Sequence, residues 1–244
     1  FHERHLHTDL ALTLLRRLQR GARPDLKLIV MSATLDAAPV AAFLDAPILS
    51  SEGRSFPIEL RHATREDARP LGERVSEAVQ GLHQEKPGGH ILVFLPGAAE
   101  IRAAAGAREA PASLRFRRVL PLHGDLSAEA QQEAIAPSDT PKIILSTNVA
   151  ESSVTLEGVC AVIDSGLGRE ARHSPWSGLS SLVTVRISQA RCVQRMGRAG
   201  RTGPGLCVRL YTETDYRLRP AFDAPELQRA DLAEALLGLH VLGI

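Results

Sequence analysis

Between residues 90 and 211 the chain alternates short apolar runs with longer mixed segments, and this alternation restricts the possible folds more than any other feature. The runs lie at 90–95, 117–122, 142–146, 160–164 and 206–211, and each is five or six residues long. Runs of that length bounded by turn residues read as strands. The intervening segments at 71–84, 98–108, 128–135 and 188–201 read as helices. Short strands separated by helices imply βαβ units, so the expected class is α/β with a mainly parallel sheet. Two further segments, 169–173 and 179–187, break the alternation. They flank Pro175-Trp176-Ser177-Gly178, a turn signal, so they predict an antiparallel hairpin with Trp176 at its tip.

The flanks carry weaker patterns. Leu6, Leu10, Leu14 and Leu18 recur every four residues, one face of a helix that Gly21 ends. Residues 26–31 read as a short buried strand and 36–44 as a second helix. A looser stretch with Pro47, Gly53 and Pro57 places a domain boundary near residue 50. Beyond Pro220, a helix is expected from near Pro225, with Leu232, Leu236 and Leu239 on its apolar face. With 44% hydrophobic and 23% charged residues, the composition is that of an ordinary globular α/β chain. No apolar run reaches 18 residues, so no membrane span is expected. The formal net charge of +1 does not decide for or against a polyanionic partner. The cysteines Cys160, Cys192 and Cys207 share no metal spacing, and they read as buried reduced thiols of a cytoplasmic protein. His2, His5 and His7 lie close together, but no carboxylate or cysteine completes a ligand set at helical spacing, and no metal site is expected.

The segment richest in chemistry is Gln194-Arg195-Met196-Gly197-Arg198-Ala199-Gly200-Arg201. With Ser188 as N-cap and Gly203-Pro204-Gly205 as the stop, it falls on the helix at 188–201. Gln194, Arg198 and Arg201 then stand at i, i+4 and i+7 and project from one face. Two guanidinium forks and an amide on one stripe suit the oxygens of a triphosphate. The two glycines thin another side and allow a second surface to approach.

This segment resembles motif VI of superfamily-two helicases in its DEAH-box form. The other motifs follow in order. Ser32-Ala33-Thr34 is similar to motif III and Leu92-Val93-Phe94-Leu95-Pro96-Gly97 to motif IV. Thr147-Asn148-Val149-Ala150-Glu151-Ser152-Ser153-Val154-Thr155 is similar to motif V, and Val162-Ile163-Asp164-Ser165-Gly166 follows it. Phe1-His2-Glu3-Arg4 resembles the end of Asp-Glu-Phe-His-Glu-Arg, the motif that names the family. With Gly53-Arg54-Ser55-Phe56-Pro57, the best match is the bacterial HrpB-type branch.

The resemblance implies a RecA-like, P-loop NTPase-type parallel-sheet domain over 51–217. It would be preceded by the tail of a first RecA-like domain at 1–50 and followed by the start of a winged-helix region at 218–244. It implies ATP with Mg²⁺ as cofactor, the magnesium ligands lying outside these residues, as does the Gly-rich phosphate loop. Arg198 and Arg201 would be arginine fingers, and Gln194 would contact the γ-phosphate or the water. Thr155 and Glu157 would lie near the ribose, although Asp is the common residue at the latter position. Ile135 stands where relatives carry a base-stacking aromatic, which implies slack nucleotide choice. Pro96, Gly97, Thr147, Asn148 and the hairpin with Trp176 would contact single-stranded nucleic acid, RNA rather than DNA. Ser32, Ala33, Thr34 and His2 would couple the ATP state to strand separation. The expected function is the second motor domain of an ATP-dependent helicase that needs the first RecA-like domain as partner. The alternative is a truncated module that binds nucleic acid or a protein without turnover.

Overall fold

The computed structural model describes residues 4–32, 36–51, 56–85, 88–106, 118–152, 154–174, 176 and 178–244. In chain order the elements begin with α1 (Leu6–Arg20), α2 (Ala37–Leu44), β1 (Ile58–His62), α3 (Leu71–Glu85), β2 (His90–Phe94) and α4 (Ala98–Gly106). They continue with β3 (Arg118–Leu122), α5 (Ala128–Ile135), β4 (Lys142–Ser146), α6 (Val149–Ser152) and β5 (Val159–Asp164). The remainder are β6 (Leu167–His173), β7 (Ser180–Arg186), α7 (Gln189–Met196), β8 (Gly205–Arg209), α8 (Glu213–Arg217) and α9 (Ala233–Val241).

Six strands form one sheet in the order β1-β8-β5-β2-β4-β3, and every neighbouring pair is parallel. This is the parallel α/β arrangement that the alternation of runs implies, and it agrees with the RecA-like domain that the resemblance implies. The central strand β2 is buried along its whole length. Its side chains divide by the two-residue period of a strand. Ile91, Val93 and Leu95 join Val75, Val79 and Leu82 of α3 and Ile101 of α4 in one core. Leu92 and Phe94 join Leu120, Ile144, Val162 and Ala134 of α5 in a second core. Each fully buried aliphatic side chain contributes roughly 1.5–3 kcal/mol. Two covered faces are the reason the strands read as continuous apolar runs.

The sequence does not announce β1, whose residues Ile-Glu-Leu-Arg-His alternate apolar and polar. It forms an edge of the sheet and pairs only with β8, from Ile58 opposite Gly205 to His62 opposite Arg209. An edge strand has one solvated flank and tolerates charge. The hairpin is present as β6 and β7, which form a separate two-stranded sheet.

The chain divides into two compact units. One holds residues 52–169 and 184–221; the other holds 1–51, 170–183 and 222–244. Residues 1–51 and 222–244 thus share a unit with residues 170–183 of the hairpin. Residues 26–32 carry no strand pairing, contrary to the expectation of a buried strand. Ile29 and Met31 are 83% and 80% exposed. An apolar run becomes a buried strand only where a sheet offers it a ladder, and none lies beside it among the described residues. The last helix begins at Ala233 rather than near Pro225, because Glu226–Gln228 forms a tight 3-10 turn first. No helix among the described residues is long and apolar enough to cross a membrane.

Local opening free energy follows burial and pairing. The amides of β2, β4 and β5 should therefore resist hydrogen exchange for hours, while those of residues 26–32 exchange at near-intrinsic rates. Exchange followed by mass spectrometry checks this; equal protection of the two regions would contradict it.

Candidate functional site

The carboxyl ends of parallel strands are where ligands gather in open α/β sheets. Here those ends carry Leu95-Pro96-Gly97 after β2, Thr147-Asn148 after β4, Asp164-Ser165-Gly166 after β5 and Leu210-Tyr211 after β8. The α7 helix bears on the same edge. Ser188 caps it, its hydroxyl accepting the Arg191 N–H at 3.3 Å.

The helix stops at Met196, five residues before the expected end. The N–H groups of Arg198 and Ala199 bond to the carbonyls three residues back, at Arg195 and Met196, in tightening turns. Gln194, Arg198 and Arg201 therefore do not form one helical stripe. The stripe that does exist is Arg191 and Arg195, four residues apart, and it faces α6. Arg191 forks onto the Glu151 carboxylate through Nε and Nη2, both at 2.9 Å. Arg195 reaches the same carboxylate through Nε at 2.6 Å and Asp164 through Nη1 at 2.8 Å. The side chains of Arg195 and Asp164 are wholly buried, and that of Glu151 is 3% exposed. The Arg195 guanidinium also lies 4.8 Å from the centroid of the Phe94 ring.

Asp164 is the hub on the sheet side. It accepts the Gly166 N–H at 2.9 Å and the Tyr211 hydroxyl at 2.8 Å. Burial alone would raise its carboxyl, but the Arg195 charge and hydrogen bond outweigh burial and hold it below the ordinary carboxylate range. Burial likewise pushes the Cys192 thiol up. The Tyr211 hydroxyl also lies within donating distance of the Cys192 sulfur, at 3.1 Å. Gly166, at φ 70°, leaves no room for a side chain. A Cβ there would lie 2.5 Å from both Arg219 Nη2 and Tyr211 Cε1.

Arg198 is buried and anchors the motif V turn. Its guanidinium donates to the Val154 carbonyl at 2.6 Å and to the Glu151 carbonyl. Burial first, then the neighbouring Arg201, pushes its pKa down to about 10, so it stays charged at neutral pH. Arg201 is exposed and makes no hydrogen bond or ion pair among the described residues. A second cation held beside the first, with no carboxylate of its own, leaves a local excess of positive charge that suits an anion. Gln194 is partly buried on α7. Gly200 lets the start of β1 approach. Its carbonyl accepts the Phe56 N–H at 2.9 Å, and a Cβ there would lie 2.8 Å from Ile58 and the Phe56 carbonyl.

Thr155 and Glu157 are exposed and follow Val154, whose carbonyl holds Arg198. Ile135 is partly buried against the second core. Pro96 and Gly97 are buried rather than open, and Arg169 lies over Gly97 with Glu100 3.6 Å from its Nη2. Thr147 spends its N–H on the Leu122 carbonyl at 3.2 Å, and Asn148 is exposed. Trp176 is 100% exposed. Ser32 is exposed, whereas Ala33, Thr34 and His2 lie outside the described residues. No group of three or more His, Cys, Asp and Glu side chains that could hold a metal occurs among the described residues. Arg195, Glu151 and Arg191 are the residues that the sequence reading passes over. The signal was there: two arginines four apart on a capped helix, and a lone glutamate in the preceding motif.

Breaking a buried ion pair by removing one partner costs about 3–5 kcal/mol. Arg195→Met should therefore lower the urea midpoint of the chain by that equivalent. In the unaltered chain the depressed Asp164 carboxyl contributes stability that is full above its unfolded pKa of about 3.9 and is lost as pH falls through the folded value. Arg195→Met should flatten that acid limb; an unchanged midpoint and an unchanged limb would contradict the arrangement.

Residues 73–203 match the helicase conserved C-terminal domain. Over 258 aligned residues covering the whole chain, it is 42% identical to the probable ATP-dependent RNA helicase DHX34 of Mus musculus, and it spans 22% of that protein. It is 43% identical over 98% of its length to the ATP-dependent RNA helicase HrpB of Escherichia coli, spanning 30% of it. The crystal structure of the Escherichia coli DEAH/RHA helicase HrpB superimposes over the whole chain with a TM-score of 0.89 at 40% identity, the match covering 31% of that structure. The chain thus spans less than a third of these relatives. Since the matched domain takes in more than half of its residues, and both motifs V and VI are knitted together as described, the chain belongs to the helicase conserved C-terminal domain family in its DEAH-box branch.

Proposed function

We propose that this chain is the second motor domain of an ATP-dependent RNA helicase, and that it completes an ATP site whose phosphate-binding half lies on another RecA-like domain. The observation that carries the reading is the pairing of a buried, anchored Arg198 with an exposed, uncommitted Arg201. Arg198 is held by the carbonyls of Glu151 and Val154, so its position follows the motif V turn. Among the described residues Arg201 has no hydrogen bond or ion pair to give up on meeting an anion. Bound ATP would supply the phosphoryl group and its developing negative charge. Arg201 would neutralise that charge, Arg198 would fix the approach of the turn, and Thr155 and Glu157 would stand toward the ribose. Gln194 would orient toward the γ-phosphate or the water.

No Gly-x-x-x-x-Gly-Lys occurs in these residues. The magnesium ligands would lie on the other domain. Thr147, Asn148 and the hairpin with Trp176 would meet single-stranded RNA through its backbone, which positions a strand without reading its sequence. Pro96-Gly97 would do so with Arg169 above it rather than as a bare loop. The likeness to proteins described as RNA helicases favours RNA over DNA. The proposed site of action is the cytoplasm.

Two outcomes are expected. In the full-length protein, Arg201→Ala should lower kcat for ATP hydrolysis by roughly 10³–10⁵, the range for arginine fingers, with ATP binding largely kept. Loss of binding and turnover in equal measure by Arg201→Ala would contradict the finger role. These 244 residues alone should release no phosphate above background, and release abolished by Arg201→Ala would sink the shared-site reading.

A further inference from the structure

Three distant stretches of chain meet within the unit that holds 1–51, 170–183 and 222–244. The first is the start of α1. An α-helix leaves its first N–H groups without intrahelical partners. His5 stands at the N-cap of α1, but its side chain does not cap the helix. The cap comes from far along the chain, where the Glu226 carboxylate accepts the Leu6 N–H at 2.7 Å across 220 residues. The same Oε2 lies 3.4 Å from His5 Nδ1, and the Glu226 N–H donates to the Arg4 carbonyl at 3.0 Å. The Leu6 N–H, more than any other neighbour, draws the Glu226 carboxyl below its ordinary range. Arg4 itself adopts φ 49°, the left-handed region that a non-glycine residue rarely enters. Its side chain is fixed on Asp9 by bonds of 2.9 Å from Nε and Nη2.

Three residues past Glu226 the same segment grips the hairpin. The Arg229 carbonyl accepts the His173 N–H at 3.2 Å, and Arg229 Nη1 donates to the Ala171 carbonyl at 3.2 Å. Between them, Glu226–Gln228 is a 3-10 turn in which the N–H groups of Gln228 and Arg229 close onto the carbonyls of Pro225 and Glu226. One short, internally bonded turn therefore holds the start of α1 at one end and strand β6 at the other.

We infer that residues 225–229 form a strap that ties the start of α1 to the hairpin, with Glu226 and Arg229 as positioning residues that transmit movement between them. The inference rests on the helicase reading above, in which the residues ahead of α1 belong to the ATP side and the hairpin to the strand-separating side. A displacement of α1 carries Arg4 and Leu6, hence Glu226, hence Arg229 and β6. The link is made of backbone bonds with one carboxylate at one end and one guanidinium at the other, so losing either side chain loosens that end to its backbone bond alone.

The test uses the full-length protein and measures RNA-stimulated ATP hydrolysis and duplex unwinding on the same preparations. For Glu226→Ala and Arg229→Ala, hydrolysis should stay within about twofold while strands separated per ATP fall about fivefold, the factor equivalent to losing one helix cap. Glu226→Gln keeps a side-chain carbonyl for the Leu6 N–H and should restore the ratio. Should Glu226→Ala fail to fold, Arg229→Ala carries the test, since its backbone bond to His173 survives. An unchanged ratio in the variants overturns the strap, and so does a parallel fall of both activities. If the unaltered protein neither hydrolyses ATP nor separates strands, it is the helicase reading that fails.

Discussion

The buried contact of Arg195 with Glu151 and Asp164 is the constraint on which the rest of the site depends. Taking three charges out of water is costly unless each is paired and hydrogen-bonded. The geometry meets most of that condition: the two carboxylates are shared between Arg195, Arg191, the Tyr211 hydroxyl and the Gly166 N–H, and only Arg195 Nη2 of that guanidinium is buried without a hydrogen-bond partner among the described residues. The arrangement joins α7, α6 and the ends of β5 and β8 into one rigid block. A hydrophobic plug could have filled the space, but it would not have fixed the rotation of α7 about its axis. Because that rotation is fixed, the chain leaving α7 at Met196 turns so that Arg198 points inward and Arg201 outward.

The division of labour between the two arginines follows from that exit. Arg198 is enclosed and bonded to two carbonyls of the motif V turn, so it reports the conformation of residues 151–154. Arg201 has no such tie. An Arg with every donor satisfied internally is a poor ligand for a passing anion, whereas one held near a like charge gains by finding one. The buried arginine shapes the turn, and the exposed one is left to meet what comes from outside.

Much of the fold was legible because burial on both faces writes itself directly into sequence. The runs at 90–95, 142–146 and 160–164 became β2, β4 and β5 with ends shifted by a residue or so. β1 stayed hidden because an edge strand carries Glu59 and Arg61 on the same short run as Ile58 and Leu60. The run at 26–31 misled for the opposite reason, since an apolar pattern states what a segment would bury and cannot say whether a sheet is there to bury it. In the site, Arg198 and Arg201 were legible as types but not as geometry. Extending the helical period through Gly197 to Arg201 assumed a helix that the tightening turns at Arg198 and Ala199 end. Arg195 was passed over because helix spacing from Gln194 drew attention to the wrong stripe; its partner Glu151 lies 44 residues away.

The cap that Glu226 places on Leu6 has a consequence for how the chain comes into being. α1 leaves the ribosome 220 residues ahead of the carboxylate that caps it. At the usual elongation rate of about 5–20 residues per second, the wait is roughly 10–40 seconds. During that time the sheet of the other unit can be completed, because both of its faces are covered by helices encoded between its own strands. Until then the Leu6 N–H of α1 lacks the Glu226 carboxylate. Synthesis therefore separates the helix from its cap in time: the contact that completes the start of α1 forms only after Glu226 has emerged and the sheet between them has been made.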